Sequence, residues 1–358
     1  MSSGAYVASN PYGSEQYLHQ ILAKAVASGA RDVHLKVGKP PGARVRDDLV
    51  FFRLESLRPA DTEAVARHLI RDPAILENLP ALNEHDTSYA VAGVGRFRVN
   101  IYRQRGSLAV VMRAIPFEVP DLQSLGLPEV CRELAEKDRG LILCVGAAGN
   151  GKSTTLAAMI HHMNQTLSRH VITIEDPIEY LHADQHCSIS QREIGIDTRS
   201  FADALRAALR QDPDVIQVGE IRDSETMDIA LKAAETGHLV LSTLHTPDVV
   251  RTINRILALS GGDADNLRER LGDALQGIIA QRLLPRSDAP GVALATELLV
   301  CTGSVRESIK RPLGNPPLRE LMESGSELYG MQTFEMAIRR LLQRGVIDKD
   351  TARAAAAF

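Results

Sequence analysis

One run of eight residues constrains this chain more than any other: Gly146-Ala147-Ala148-Gly149-Asn150-Gly151-Lys152-Ser153, a complete GxxxxGK(S/T) pattern. It follows the apolar run 141–145 and opens a helical stretch at 152–164, so strand, loop and helix come in the order a phosphate-binding loop requires. The glycines let the backbone wrap with its N–H groups facing a β-phosphate, and the following helix N-terminus adds its partial positive charge. Lys152 is expected to neutralise charge on the β- and γ-phosphates and Ser153 to ligate Mg²⁺, with Thr154 closing the nucleotide-contacting run. A glycine-rich turn is the plainer alternative, but the pattern arises by chance in roughly one chain of this length in a hundred, and its context lowers that further. ATP with Mg²⁺ is the expected ligand pair.

Three later segments fit around such a loop. Thr173-Ile-Glu175-Asp176-Pro-Ile-Glu179 places carboxylates at the end of an apolar strand, where parallel sheets bind ligands, though a solvated acidic loop reads as well. Val215-Ile-Gln-Val-Gly219-Glu220 is an apolar strand ending in a carboxylate, suited to orient an attacking water or to hold the metal's waters. Thr236-Gly-His238-Leu-Val-Leu-Ser-Thr243-Leu-His245-Thr246 flanks a buried strand with two histidines. His245, ending the strand, is expected to sense the γ-phosphate; His238 is open between a satisfied core residue and the same role.

The rest divides at 115–128, IPFEVPDLQSLGLP, whose three prolines suit a linker. Before it, residues 1–14 read as a loose tail, 15–28 and 61–70 as helices, and 33–37, 49–54, 95–101 and 108–115 as strands, making a small α+β domain over 1–114. Beyond it, strands at 141–145, 171–174, 215–218 and 239–244 alternate with helices at 152–164, 200–210 and 224–235, which implies a largely parallel sheet covered on both faces. From Pro247 onward helices are expected to dominate. Arg96, Arg98, Arg103, Arg105 and Arg113 cluster on the last two strands of the first domain. They read as solvated sheet-edge charge or, in a ring assembly, as fingers reaching a neighbour's ATP.

Composition excludes other classes. Lys plus Arg at 41 against Asp plus Glu at 45 gives a net charge of -4, without the basic excess of a nucleic-acid binder. Cys131, Cys144, Cys187 and Cys301 lie too far apart for a CxxC zinc or redox site and read as free thiols in a reducing compartment. The N-terminus lacks a secretory pattern and no apolar run approaches the roughly 20 residues of a membrane span, so a cytoplasmic protein is expected.

In order, GAAGNGKST, TIEDPIEY, DPDVIQVGEIRD and TGHLVLSTLHT resemble the Walker A, Asp box, Walker B and His box of type II/IV secretion ATPases. RDVHLKVGKPP, GRFRVNIYRQRGSLAVVMRAIP, SQREIGIDT and GMQTFEMAI resemble the type IV pilus retraction ATPases (the PilT/PilU group) within that superfamily, over roughly 15–350. The P-loop has Ala-Ala-Gly-Asn where that group usually shows Pro-Thr-Gly-Ser, and 304–311 is only faintly similar to its AIRNLIRE signature. The resemblance implies a RecA-like ATPase domain with C-terminal helices over 129–358, behind a PAS-like amino-terminal domain. It further implies a homohexamer at the inner-membrane pilus base, turning a platform protein, with a paralogous pilus ATPase as a further partner. Glu175 and Glu220 would share the water-activating and metal-side roles, His238 and His245 would sense nucleotide, and Arg96, Arg98 and Arg113 are the finger candidates. The absence of a tetracysteine insert favours retraction over export. The competing functions are a secretion or conjugation ATPase and an accessory ATP-binding regulator with little turnover.

Overall fold

The computed structural model describes residues 10–45, 48–115, 118–259 and 263–356. By its internal packing the chain falls into two compact units, Met1–Phe117 and Glu118–Phe358.

The first unit is an antiparallel sheet of β1 (Ala30–Lys36), β2 (Gly42–Val45), β3 (Asp48–Phe51), β4 (Glu84–Val91), β5 (Gly95–Gln104) and β6 (Ser107–Ile115), in the order β3-β2-β1-β6-β5-β4 among the described residues. Alternation in β5 buries Phe97, Val99 and Ile101, and these meet Leu18, Ile21 and Leu22 of the helix Glu15–Ala27 and Val65 and Leu69 of the helix Pro59–Leu69 in one core. The β5–β6 hairpin closes through Arg105 (φ 50°) and Gly106 (φ 78°), the pair of positive angles a tight two-residue turn demands. Two strands, β2 and β4, were not expected. The expected tail is ordered over its described end: Pro11–Gly13 forms a 3₁₀ turn, and Tyr12 is buried edge-on against Tyr17. Residues 1–9 lie outside the described residues.

The second unit holds a mostly parallel sheet of β7 (Gly140–Val145), β8 (His170–Glu175), β9 (Ser188–Glu193), β10 (Val215–Val218), β11 (Leu239–Leu244), β12 (Leu275–Pro285) and β13 (Val292–Val300), ordered β13-β12-β7-β11-β10-β8-β9. Every residue of β7, β10 and β11 is buried, as unbroken apolar runs in a doubly covered sheet must be. The crossover helices start where side chains cap them: Ser200, Asp223 and Asp248 accept from the backbone N–H three residues on. This is the RecA-like arrangement that the motif order implied.

Two expectations for this unit change. The linker 115–128 is not free along its length, because Leu122 and Leu127 are buried with Val130, Leu134 and Met159; Pro116 and Phe117 lie outside the described residues. Helices do dominate after Val300, but β12 and β13 form an antiparallel hairpin that extends the sheet beyond β7. Their Leu, Ala, Gln and Arg are good helix formers, and sheet pairing overrides that preference. Among the described residues no helix is long and apolar enough to cross a membrane.

Candidate nucleotide-binding site

The loop after β7 sits against β12. Gly146 has φ 150°, and a Cβ there would lie 2.6 Å from the Gln281 carbonyl oxygen, so no other residue fits without moving a backbone. Gly149 and Gly151 also take left-handed angles, φ 79° and 78°, turning the loop into the helix Lys152–Thr166. Asn150 fastens the loop sideways, its Oδ1 accepting from the Leu283 amide at 3.2 Å. Gly146→Ala is expected to cost about 2–4 kcal/mol of stability, from strain and the carbonyl clash together. Denaturant unfolding of the two proteins measures it.

Ala148, Gly149, Lys152 and Ser153 line a cleft of about 230 Å³ together with Glu175, Asp176, Glu179, Gln217, Gly219, Glu220, Thr243 and His245. β7, β8, β10 and β11 run parallel, so these groups all leave the carboxyl ends of their strands at one edge of the sheet. Lys152 is only 7% exposed; its Nζ donates to the Ala147 carbonyl at 2.9 Å and lies 3.5 Å from His245 Nδ1. Burial lowers its pKa, while Glu220, Cys144 and Glu179 act in the opposite sense.

Glu220 sits two residues past the end of β10, its carboxylate paired with Arg222 and 3.4 Å from His245 Nε2. Its approach is fixed by neighbouring strands: Thr243 Oγ1 donates to the Gly219 carbonyl at 2.7 Å, and the Gly219 amide donates to Ile174 O at 2.8 Å. His245 therefore spans Lys152 and Glu220.

Glu175 is 9% exposed and accepts from Thr173 Oγ1 at 2.6 Å, Gln191 Nε2 at 3.1 Å and the Glu179 amide at 3.4 Å. Burial nonetheless raises its pKa. A carboxyl whose folded pKa exceeds its unfolded value lowers stability as pH rises from the unfolded value through the folded one, and has no such effect below both. Glu175→Gln is therefore expected to unfold at a higher temperature than the parent at neutral pH, in chelator. That advantage should vanish below about pH 4, where both carboxyl forms are neutral. Thermal melts across pH check this; a constant difference would show that charge is not its origin.

Sequence reading missed the residues that hold this acidic loop. Gln191 of β9 donates to Tyr180 O at 2.8 Å as well as to Glu175, and its Oε1 accepts from the His182 amide at 2.9 Å. Buried Glu193 accepts from the Ile178 amide at 3.1 Å, and Tyr180 Oη lies 3.0 Å from Thr154 Oγ1. The one available signal was a pair of polar residues, Gln191 and Glu193, spaced to share a face of a strand. Gln217, alone and polar within β10, carried a similar signal.

One expected site residue is not brought to this cleft. His238 precedes β11, and its carbonyl accepts from Gly140 at the start of β7, the end opposite the phosphate loop. Six strand residues separate the two ends, about 20 Å. Its Nδ1 lies 2.9 Å from Ala233 O at the end of the helix Ser224–Glu235, so His238 closes a helix and does not face the nucleotide cleft of its own chain. The arginines belong to the first unit: Arg98 and Arg113 face each other across β5 and β6, Arg113 Nε donates to Asp32 at 2.8 Å, and Arg96 Nη2 donates to Ser88 Oγ at 2.8 Å. Arg103 is structural, donating to the carbonyls of Leu79, Pro80, Leu82 and Gly106, and Arg105 makes the hairpin turn.

Known proteins resemble this chain over nearly its whole length. The family model for type II/IV secretion system proteins matches residues 12–314. The chain is 39% identical over 335 residues to the type IV pilus retraction ATPase PilT of Pseudomonas aeruginosa, covering 93% of this chain and 96% of that one. It is 38% identical over 338 residues to the type IV pilus ATPase PilU of the same organism, covering 94% and 87%. The crystal structure of the pilus retraction motor PilT with bound ADP superposes with a TM-score of 0.84 at 43% identity, over 94% of this chain and 96% of the other. With its four motifs in order on a RecA-like sheet and a family match that spans both units, this chain belongs to the type II/IV secretion system protein family.

Proposed function

We propose that this chain is the ATP-hydrolysing motor of type IV pilus retraction, acting as a homohexameric ring in the cytoplasm at the inner-membrane pilus base. The observation that carries the reading is the convergence of Lys152, Glu175, Glu220 and His245 on one cleft, in a chain similar to PilT over nearly its whole length. ATP would thread its phosphates through 146–154, with the γ-phosphate between Lys152 and the Glu220–His245 pair. Glu220 would orient the attacking water and take its proton as the bond to the departing ADP breaks; Lys152 would balance charge on the transferred phosphoryl group and His245 would sense the γ-phosphate.

The donor set suits a hydrated hard cation: four carboxylates line the cleft, yet among the described residues no three metal-binding side chains form a ready cage. When bound, Mg²⁺ on the Ser153 hydroxyl and, through water, on Glu220 would neutralise charge developing on the β- and γ-phosphate oxygens. Glu175, held by Thr173 and Gln191, would share the metal-side role. Arg96, Arg98 and Arg113 remain the candidates for reaching a neighbouring subunit's ATP. A platform protein is the proposed load and a paralogous pilus ATPase a further partner; net charge of -4 supports no nucleic-acid role.

Turnover followed across size-resolved fractions tests the reading: hydrolysis should coincide with a hexamer-sized peak. Near-equal identities to two pilus ATPases, PilT at 39% and PilU at 38%, keep a second reading, an accessory ATP-binding regulator of a pilus motor with little turnover. Expression alone in a strain stripped of retraction ATPases separates them, since only a principal motor restores twitching unaided.

A further inference from the structure

Three successive residues of β12 touch opposite sides of the second unit. Gln281, 1% exposed, donates through Nε2 to Thr155 Oγ1 at 2.8 Å, in the first turn of the phosphate-loop helix. Leu283 donates its amide to Asn150 of the loop itself, and the Gln281 carbonyl abuts Gly146. Between them, Arg282 leaves the other face of the sheet, as strand alternation requires. Its guanidinium stacks on the Phe334 ring, 4.0 Å from the centroid, and Nη1 donates at 2.8 Å to Ala355 O in the last turn of the helix Lys349–Ala356. That bond also fits a cation to the negative end of a helix. A cavity of about 610 Å³ lies alongside, bounded by Ala147 and Asn150 of the loop, by β12 and by Asp350, Thr351 and Ala354 of the terminal helix. The helix thus has space on its loop side, and at Ala355 it is tied to β12 by the side chain that sits between the two loop contacts.

We propose that Arg282 is a positioning residue that couples nucleotide binding at the phosphate loop to the order of the terminal helix Lys349–Ala356. It acts through β12: loop tightening on phosphate is felt at Asn150 and Thr155, passes to the 281–283 backbone, and shifts the guanidinium that holds Phe334 and Ala355. This gives a role to Phe334 within 330–338, the GMQTFEMAI stretch that the nucleotide cleft leaves unused. The proposal rests on the nucleotide-binding reading of the P-loop.

Amide hydrogen exchange of 349–356, with and without saturating ADP, tests it in the full chain, with ADP affinity measured on the same samples. In the parent, ADP should slow exchange there by about threefold or more, a change within the range of local opening equilibria. Arg282→Met should bind ADP yet lose that slowing, and Arg282→Lys should fail to restore it, because an ammonium cannot stack and fork as the planar guanidinium does. Phe334→Leu, which leaves the carbonyl bond in place, should weaken the response and serves if Arg282→Met does not fold. ADP binding with no change at 349–356 in the parent overturns the coupling, as does an undiminished response in Arg282→Met. Failure of the parent to bind ADP overturns the P-loop reading itself.

Discussion

Lys152→Ala is expected to reduce ATP turnover by about a thousandfold or more, with twitching lost in any strain that depends on this gene. The size of the effect follows from how Lys152 is held. It is buried, and burial presses it toward the neutral form, while Glu220, Cys144 and Glu179 act in the opposite sense. Its Nζ rests on the Ala147 carbonyl, a neutral acceptor that an anionic phosphate oxygen would replace with a stronger, charge-assisted bond. Alanine removes the cation from a cleft otherwise lined by four carboxylates, so the site would repel the substrate it is built to hold. Lys152→Arg should not rescue activity, because a planar guanidinium does not present the compact point charge that the ammonium places between Ala147 and His245. Steady-state turnover and titration with a fluorescent ADP analogue measure both. Motility unaffected by Lys152→Ala would sink the motor reading, whatever the purified protein does.

What the sequence disclosed follows physical lines. β7, β10 and β11 were plain because parallel strands buried on both faces are nearly unbroken apolar runs, and they bound the phosphate loop, Glu220 and His245 in order. β9 was hidden because an edge strand of sequence SISQRE buries little, and with it went Gln191 and Glu193, which hold the acidic loop. The β12–β13 hairpin was hidden for the opposite reason, its residues favouring helix until sheet pairing overrode them. That omission concealed Gln281 and Leu283, the phosphate loop's neighbours. His238 and His245 stand at the two ends of one six-residue strand, about 20 Å apart, so the strand's length alone separates their surroundings. Asn150, a departure from the resembling group's usual serine, has a local reason, since its longer side chain reaches the Leu283 amide.

Glu220→Gln is expected to slow hydrolysis by about a hundredfold or more while leaving nucleotide binding intact, and this separates chemistry from binding. The amide keeps the size of the side chain and an oxygen for Arg222, so the local fold should survive; what it loses is the capacity to accept a proton from water. Arg222→Ala is the informative control. It frees the carboxylate without removing it, so a change much smaller than that of Glu220→Gln places the effect on the carboxylate and not on the ion pair. Equal co-expression of Glu220→Gln with the parent in cells carries the argument to the ring. Independent subunits would leave about half the motility; subunits that must fire in turn around a closed ring would leave far less, because most rings would contain at least one that binds ATP and stalls. Hydrolysis at the parental rate by purified Glu220→Gln would instead move the catalytic base elsewhere, with Glu175 the next carboxylate in the cleft to test.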